Sequence, residues 1–421
     1  MMTDALQRLR NDPIDWRYKG FPPADGVTPA NIRDRRWNLL AGDLFLPALV
    51  LKESALAHNL ALMRRWCTEQ GVLLAPHGKT TMSPEIFARQ FDAGAWAMTA
   101  ATPSQMRIYR AFGIRRILLA NELVEPQSIR WLAGELAADA EFEAYCLVDS
   151  VAAVARMEAA LAGSPVARRI PVLVELGMVG GRTGARSVAA ALEVTDAVLR
   201  SPVLRFAGVE GFEGIVEEVA PIDAFLSEMR ALIAELGRRG KLAELSEVIV
   251  TAGGSEAFDR VVKHLGAKFG DLPVKVVLRS GCYVTHDDGV YDRLSPFGSR
   301  RATGAARFRP ALEAWGVILS RPEPGLALAS IGRRDVPFDS GYPAPIHVRD
   351  AGGLRSVRGA MEVTALNDQH AFIRVATDDP LAVGDLIGCG ISHPCTAFDK
   401  WRLIPVIDDD YTVVDAFHTF F

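Results

Sequence analysis

From about residue 70 to residue 280, short runs rich in Val, Ile and Leu alternate with longer stretches in which Ala, Leu, Glu and Arg recur at helical spacing. The apolar runs span 72–77, 96–100, 116–121, 142–148, 170–175, 205–211, 247–251 and 275–279, and 187–200 and 221–239 are examples of the helical stretches. Eight strands separated by seven helical segments predict a (β/α)8 TIM barrel. An open doubly wound sheet is the competing arrangement, and the strand count, which closes a barrel, favours the barrel. Beyond about residue 300 the helical period fades and strand-like runs at 314–319, 326–330, 359–365, 371–375 and 403–407 stand between turn signals. They predict a C-terminal all-β domain, joined by a strand at 47–51 from ahead of the barrel. The Pro-rich stretch 1–36 is irregular and reads as surface packing or a lid. The expected division is an N-terminal segment at 1–45, a barrel at 46–299 and a β domain at 300–421.

Composition narrows the class. The 421 residues are 49% hydrophobic and 23% charged, those of an ordinary globular chain. A net charge of −4 gives no general attraction to nucleic acid or to an anionic membrane. No apolar run approaches the roughly 18–20 residues that span a bilayer, and the polar N-terminus has no signal-peptide core. Five cysteines, odd in number and unevenly spaced, point to reduced thiols in the cytoplasm.

Candidate chemistry lies where barrel strands end. The first strand runs into Pro76-His77-Gly78-Lys79-Thr80. A lysine ending a buried strand is costly unless used: burial lowers an amine's pKa, and a neutral amine attacks a carbonyl to form a Schiff base. At strand spacing His77 and Lys79 share a face. A glycine loop at 180–184 presents Arg182, and the last two strands end in Gly253-Gly254-Ser255 and Ser280-Gly281-Cys282-Tyr283. Glycines let backbone N–H groups approach an anion. An imine partner with an anion cradle is what pyridoxal 5'-phosphate requires. Far downstream, His393-Pro394-Cys395 offers two metal ligands on one side of an extended segment. Each feature has a plainer reading: a turn for Gly253-Gly254, a surface charge for Arg182, a cap for Lys79, a packed turn for His393-Pro394-Cys395. His58, His264 and His418 read as structural or exposed.

Over residues 45 to 421 these motifs, with Val284-Thr285-His286-Asp287, Arg334-Asp335 and Leu366-Asn367-Asp368-Gln369-His370, resemble the fold-type III pyridoxal-phosphate enzymes. Most similar are D-serine dehydratases and bacterial amino-acid deaminases, with D-threonine aldolases and D-threo-3-hydroxyaspartate dehydratases as near kin. The resemblance implies that Lys79 forms the imine with the cofactor, that Gly253, Gly254, Ser255, Gly281, Cys282 and Tyr283 hold its phosphate, and that Arg182 lies near its phenolic oxygen. It implies Zn2+ on His393 and Cys395 and a homodimer. The aldolase relatives tend to carry Asp where this chain has Cys395. The implied activity is therefore β-elimination on D-3-hydroxyamino acids, D-serine giving pyruvate and D-threonine giving 2-oxobutanoate, each with ammonia. A metal-dependent aldolase, a racemase and a non-catalytic pyridoxal-phosphate carrier are the rivals. Two positions depart from the dehydratase pattern. Phe212 lacks the aromatic hydroxyl usual there, so either Glu210 or Glu213 serves the ring or its electronics differ, and Thr81 stands where several relatives have His.

Overall fold

The computed structural model describes residues 4–163, 166–299 and 307–421. The chain forms two compact units. One comprises residues 64–79 and 90–281, the other residues 1–63, 80–89 and 282–421. The strands in chain order begin with β1 (Ala48–Lys52), which belongs to the second unit. The first unit then contributes β2 (Leu73–Leu74), β3 (Met98–Ala100), β4 (Arg116–Glu122), β5 (Glu143–Val148), β6 (Ile170–Leu176), β7 (Leu204–Gly211), β8 (Val248–Ala252) and β9 (Val274–Leu278).

These eight strands pair in parallel in the order β2-β9-β8-β7-β6-β5-β4-β3. Closure from β3 back to β2 comes from Trp96 N donating to Leu74 O at 2.7 Å and Thr99 N donating to Pro76 O at 2.9 Å. The (β/α)8 barrel read from the hydrophobic pattern is therefore the fold. Its helices start where side chains can cap them: Ser150 Oγ accepts from Ala153 N, and Ser187 Oγ from Ala190 N. The helix Val188–Arg200 buries Ala191, Val194, Thr195 and Val198, the i, i+3, i+4, i+7 stripe of a helix lying on a sheet.

The barrel interior is filled by Ala75, Ala97, Leu118, Tyr145, Leu147, Leu173, Ala207, Ile249 and Val277, with every strand position represented. Side chains on a strand alternate between faces. Two residues beyond these interior positions, the same parity gives His77, Thr99, Asp149, Glu175, Thr251 and Arg279. A packed apolar plug is thus roofed by a polar ring at the C-terminal end of the barrel. Strand β7 joins the ring through an irregularity: its register against β6 shifts between Val172 and Leu173, so that Gly208 opposes Leu173 and Glu210 opposes Glu175. Gly208 has φ +146, and a Cβ there would meet Ile249 O at 1.9 Å, so glycine is required. The bulge turns Glu210 inward.

The second unit continues with β10 (Leu312–Glu323), β11 (Leu326–Ala329), β12 (Ala344–Asp350), β13 (Gly353–Ser356), β14 (Glu362–Leu366), β15 (Ala371–Arg374), β16 (Leu386–Gly390), β17 (Leu403–Ile407) and β18 (Val413–His418). The main path is β13-β12-β16-β10-β1-β17-β18, and β11, β15 and β14 extend from β10. Strand β1 sits between β10, antiparallel to it, and β17, parallel to it. The all-β domain and the contribution of a strand from ahead of the barrel agree with the sequence. Four strands, β12, β13, β16 and β18, go beyond the sequence reading. In β16, glycine hides the strand signal: a Cβ at Gly388 would meet Trp315 Cε2 at 2.6 Å, so the site must stay empty for that buried indole. Residues Ile14, Phe21, Val27 and Ile32 of the N-terminal stretch pack in one cluster with Val50, Trp315 and Val413. They cover this sheet as part of its core. The expected boundary at 299–300 adjoins residues 300–306, outside the described residues. Among the described residues no helix is long and apolar enough to cross a membrane.

Candidate active site

Lys79 lies at the end of the first barrel strand, but the local structure differs from expectation. Strand β2 stops at Leu74, and residues Gly78–Thr80 form a single 3-10 turn. Lys79 is exposed, not buried in a strand, and it does not share a strand face with His77. The turn depends on Gly78, where a Cβ would meet the Tyr109 hydroxyl at 2.4 Å and its Cζ at 2.8 Å. His77 Nδ1 is sealed from water and has no partner. Burial, with the Lys79 and Arg279 charges, holds this imidazole well below its ordinary range, so the ring is neutral.

Arg279, like Asp149 and Glu175, is a member of the ring that carries no motif, although its parity with Val277 marks it. It is 5% exposed. Its guanidinium pairs with Glu210 and donates to Thr251 Oγ1 at 2.9 Å and to Gly211 O at 3.1 Å. Burial pushes the Glu210 carboxyl up to about 8, against the pull of Arg279. The glycine loop after β8 is an anion nest with an anion in it. Gly253 N donates to Glu213 Oε2 at 3.0 Å and Gly254 N to Glu213 Oε1 at 2.7 Å. Gly253 has φ +96, and Ser280 Oγ braces the loop by donating to Gly253 O at 3.1 Å and Gly254 O at 3.0 Å. Both carboxylates left open for the cofactor ring, Glu210 and Glu213, are thus engaged by protein groups. Arg182 is exposed and stands over the Phe212 ring at 4.5 Å.

In the second unit the structure gathers sulfur and imidazole. Cys282 and Tyr283 are buried in one 3-10 turn. The Sγ atoms of Cys282 and Cys395 are 3.5 Å apart, and the Thr80 hydroxyl lies 3.5 Å from the Cys395 sulfur. Hydrogen bonds from Cys282 and His393 hold the Cys395 thiol well below its ordinary range. The contact with Cys395, together with Asp339, raises His393 to about 9. By contrast, burial pushes the Cys67 thiol up to about 12, and burial with the Glu122 charge does the same to Cys146. His393 Nδ1 meets Asp339 Oδ2 at 2.5 Å, and Thr396 Oγ1 donates to Asp339 Oδ1 at 2.8 Å. A carboxylate on one imidazole nitrogen orients the other toward a ligand. The segment is not extended, as the sequence suggested. His393 has φ +70, and Cys395 opens a short helix, Cys395–Phe398. The left-handed residue is held by His393 N donating to Asp287 Oδ2 at 2.8 Å, while Asp287 Oδ1 accepts from Gly289 N and Tyr291 N at 2.9 Å each. A soft donor pair on a strained, buttressed turn suits a metal. Thr80 and Asp287 lie inside motifs the sequence singles out, without the roles seen here, and Asp339 has no motif that marks it.

A barrel with a lysine at the end of its first strand and a glycine nest at the end of its seventh defines a class: barrels that hold an anionic aldehyde cofactor. Comparison with known proteins gives the family. The model "Alanine racemase, N-terminal domain" matches residues 51–266, more than half of the chain, and "Putative serine dehydratase domain" matches residues 311–407. The chain belongs to the alanine racemase N-terminal domain family, and hence to the fold-type III pyridoxal-phosphate enzymes. It is 28% identical to a D-threonine aldolase of Arthrobacter sp over 336 residues, 78% of this chain and 80% of that protein. The D-threonine aldolase structure from Filomicrobium marinum superposes with a TM-score of 0.74 at 24% identity, covering 90% of this chain and 95% of that one. The D-threo-3-hydroxyaspartate dehydratase of Delftia sp. HT23 gives 0.71 at 20%, covering 91% and 99%. A cysteine-to-alanine mutant of D-threo-3-hydroxyaspartate dehydratase, solved in a metal-free form, gives 0.72 at 20%, covering 91% and 99%.

Proposed function

We propose that this protein is a pyridoxal-phosphate- and zinc-dependent dehydratase that converts D-3-hydroxyamino acids to 2-oxo acids and ammonia. The observation that carries the reading is the pairing of His393 with Cys395, a thiol held ready to ionise beside an imidazole oriented by Asp339. The hydroxyl of Thr80, the residue bonded to Lys79, stands at that same sulfur. Residues 46–299 hold the cofactor in this reading and 300–421 carry the metal.

Bound pyridoxal phosphate supplies an electron sink for the electrons left when the α-proton departs. The residues fit it: an exposed Lys79 amine, the exposed Arg182 guanidinium, and a Gly253-Gly254 nest that already accepts a carboxylate. Ser255, Gly281, Cys282 and Tyr283 complete the anion-holding set in this proposal, and neutral His77 lines it. Lys79 takes the α-proton. Zinc held by His393 and Cys395 supplies a Lewis acid for the departing β-hydroxyl. Cys282, whose sulfur lies 3.5 Å from that of Cys395, is a further sulfur donor beside the pair. Five free thiols support a reducing, cytoplasmic setting, and the family resemblance supports a homodimer.

The test is a panel of D-3-hydroxyamino acids assayed for oxo acid, ammonia and aldehyde, with and without chelator. Oxo acid and ammonia in equal amounts are expected from D-serine and D-threonine. Chelation should remove turnover while leaving the cofactor's visible absorbance. Glycine and aldehyde as the main products would establish the aldolase instead, which the Arthrobacter relative favours. Turnover that survives complete metal removal would strike out the metal.

A further inference from the structure

The polar ring on top of the barrel contains a group of charges that the proposed reaction does not use. Glu122, Asp149 and Glu175 end three successive strands, β4, β5 and β6, and each offers an oxygen within 4.8 Å of the others. Among the described residues, no Lys, Arg or His nitrogen pairs with any of the three. Their hydrogen bonds are few: Gly184 N donates to Asp149 Oδ2 at 3.2 Å, and Thr183 Oγ1 to Glu175 Oε1 at 3.0 Å. Both oxygens of Glu122 and Oε2 of Glu175 are buried with no partner at all. Glu175 is 5% exposed.

A second observation comes from outside the group. Glu210, the register partner of Glu175, is 1% exposed, and its Oε2 is likewise buried without a partner. Its other oxygen pairs with the Arg279 guanidinium, which leaves Oε2 the orphan. Buried carboxylates without counter-charge are among the costliest arrangements a protein can hold. Something positive must complete them.

We infer that Glu122, Asp149 and Glu175 form a binding site for a hard divalent cation, Ca2+ or Mn2+, separate from the sulfur-imidazole pair. The donor set is all oxygen, which selects hard ions over zinc. The spacing fits: two bonds of roughly 2.4 Å place ligand atoms on opposite sides of an ion about 4.8 Å apart. The loop is shaped for it, since Gly184 has φ +99 and a Cβ there would meet Gly177 backbone at 2.5 Å. Only glycine lets that N–H reach Asp149. The competing way to complete the group is a proton shared between Glu122 and Glu175, and burial with the Glu175 charge does push Glu122 up to about 9. A cation of sufficient affinity displaces that proton.

The experiment uses the full chain stripped of metal and titrated with Mn2+, free ion being counted by electron paramagnetic resonance. Wild type and Cys395→Ala are expected to retain the same one equivalent of Mn2+. The doubly substituted Glu122→Gln, Glu175→Gln protein should bind it at least tenfold more weakly and lose the rise in melting temperature that Mn2+ gives the wild type. If the double variant does not fold, Asp149→Asn, at a half-buried position, carries the test with the same expected loss. Unchanged Mn2+ affinity in the folded variant overturns the site. So does Mn2+ binding that vanishes with Cys395 alone. None of these outcomes touches the reaction assigned above, which fails only on its own product and chelation tests.

Discussion

Two clusters of ionisable side chains, one in each unit, are built on opposite plans. On the barrel, Glu122, Asp149 and Glu175 face one another, both oxygens of Glu122 and one of Glu175 are orphans, and among the described residues no cationic side chain pairs with the three. In the β unit, each donor has a neighbour that fixes it. Asp339 and Cys395 take His393, Cys395 is flanked by Cys282 and Thr80, and Asp287 holds the backbone of the turn. The difference reflects how each scaffold positions side chains. Barrel parity delivers carboxylates to the ring whether or not they have partners, so charge balance is left to what binds. The β unit reaches its metal donors through loops, which must be held by second interactions before they present a defined geometry.

The comparison can be broken most severely at Lys79. Lys79→Ala should remove the imine absorbance of bound cofactor and lower kcat/KM by roughly three orders of magnitude or more. A retained band with retained turnover would reassign the amine. Next is the thiol contrast. Cys395→Ala should empty the zinc site, because one of two strong ligands is lost. Cys67→Ala and Cys146→Ala, whose thiols burial keeps protonated, should leave metal content unchanged. Equal zinc in all three variants, measured by elemental analysis, would take His393 and Cys395 out of the site.

Third comes stability in the β unit. Ile32 is fully buried in the sheet-covering cluster, whereas Trp16 is 91% exposed. Ile32→Ala should cost about 2–5 kcal/mol in denaturant unfolding, and Trp16→Ala should stay within about 0.5 kcal/mol. Similar values for both would mean that the N-terminal stretch is not part of that core.

The smallest effect is a pH slope in the metal-free protein. The folded state raises Glu122 from 4.5 to about 9. Between those values the folded chain holds a proton that the unfolded chain has released, so this contribution to stability is complete below pH 4.5 and is lost as pH rises toward 9. Unfolding free energies should therefore fall between about pH 5 and pH 8, and Glu122→Gln should flatten that part of the slope. An identical slope in the variant would place the proton elsewhere.

The repeat of apolar runs carried the barrel, and it did so for a physical reason. Strands covered by helices must be apolar along their length, so their number and spacing are written in composition. The glycines at 78, 253 and 254, the lysine at 79 and the His-Pro-Cys triplet stood out as candidates, because each residue type is scarce in its place without a use. Local pattern failed where long-range packing sets the outcome. Whether Lys79 ended a buried strand or sat on an exposed turn depended on Gly78 against Tyr109. That Arg279 and Glu210 pair and that Glu213 fills the Gly253-Gly254 nest depend on barrel closure and the bulge at Gly208, and Glu122 meets Asp149 and Glu175 beyond a register shift of β4 against β5 between Leu118 and Glu122. The sequence by itself determined which residue types stand at strand ends. Only the tertiary structure decided which of them meet, because those meetings join positions tens to hundreds of residues apart, and no local period encodes a distance across a closed sheet.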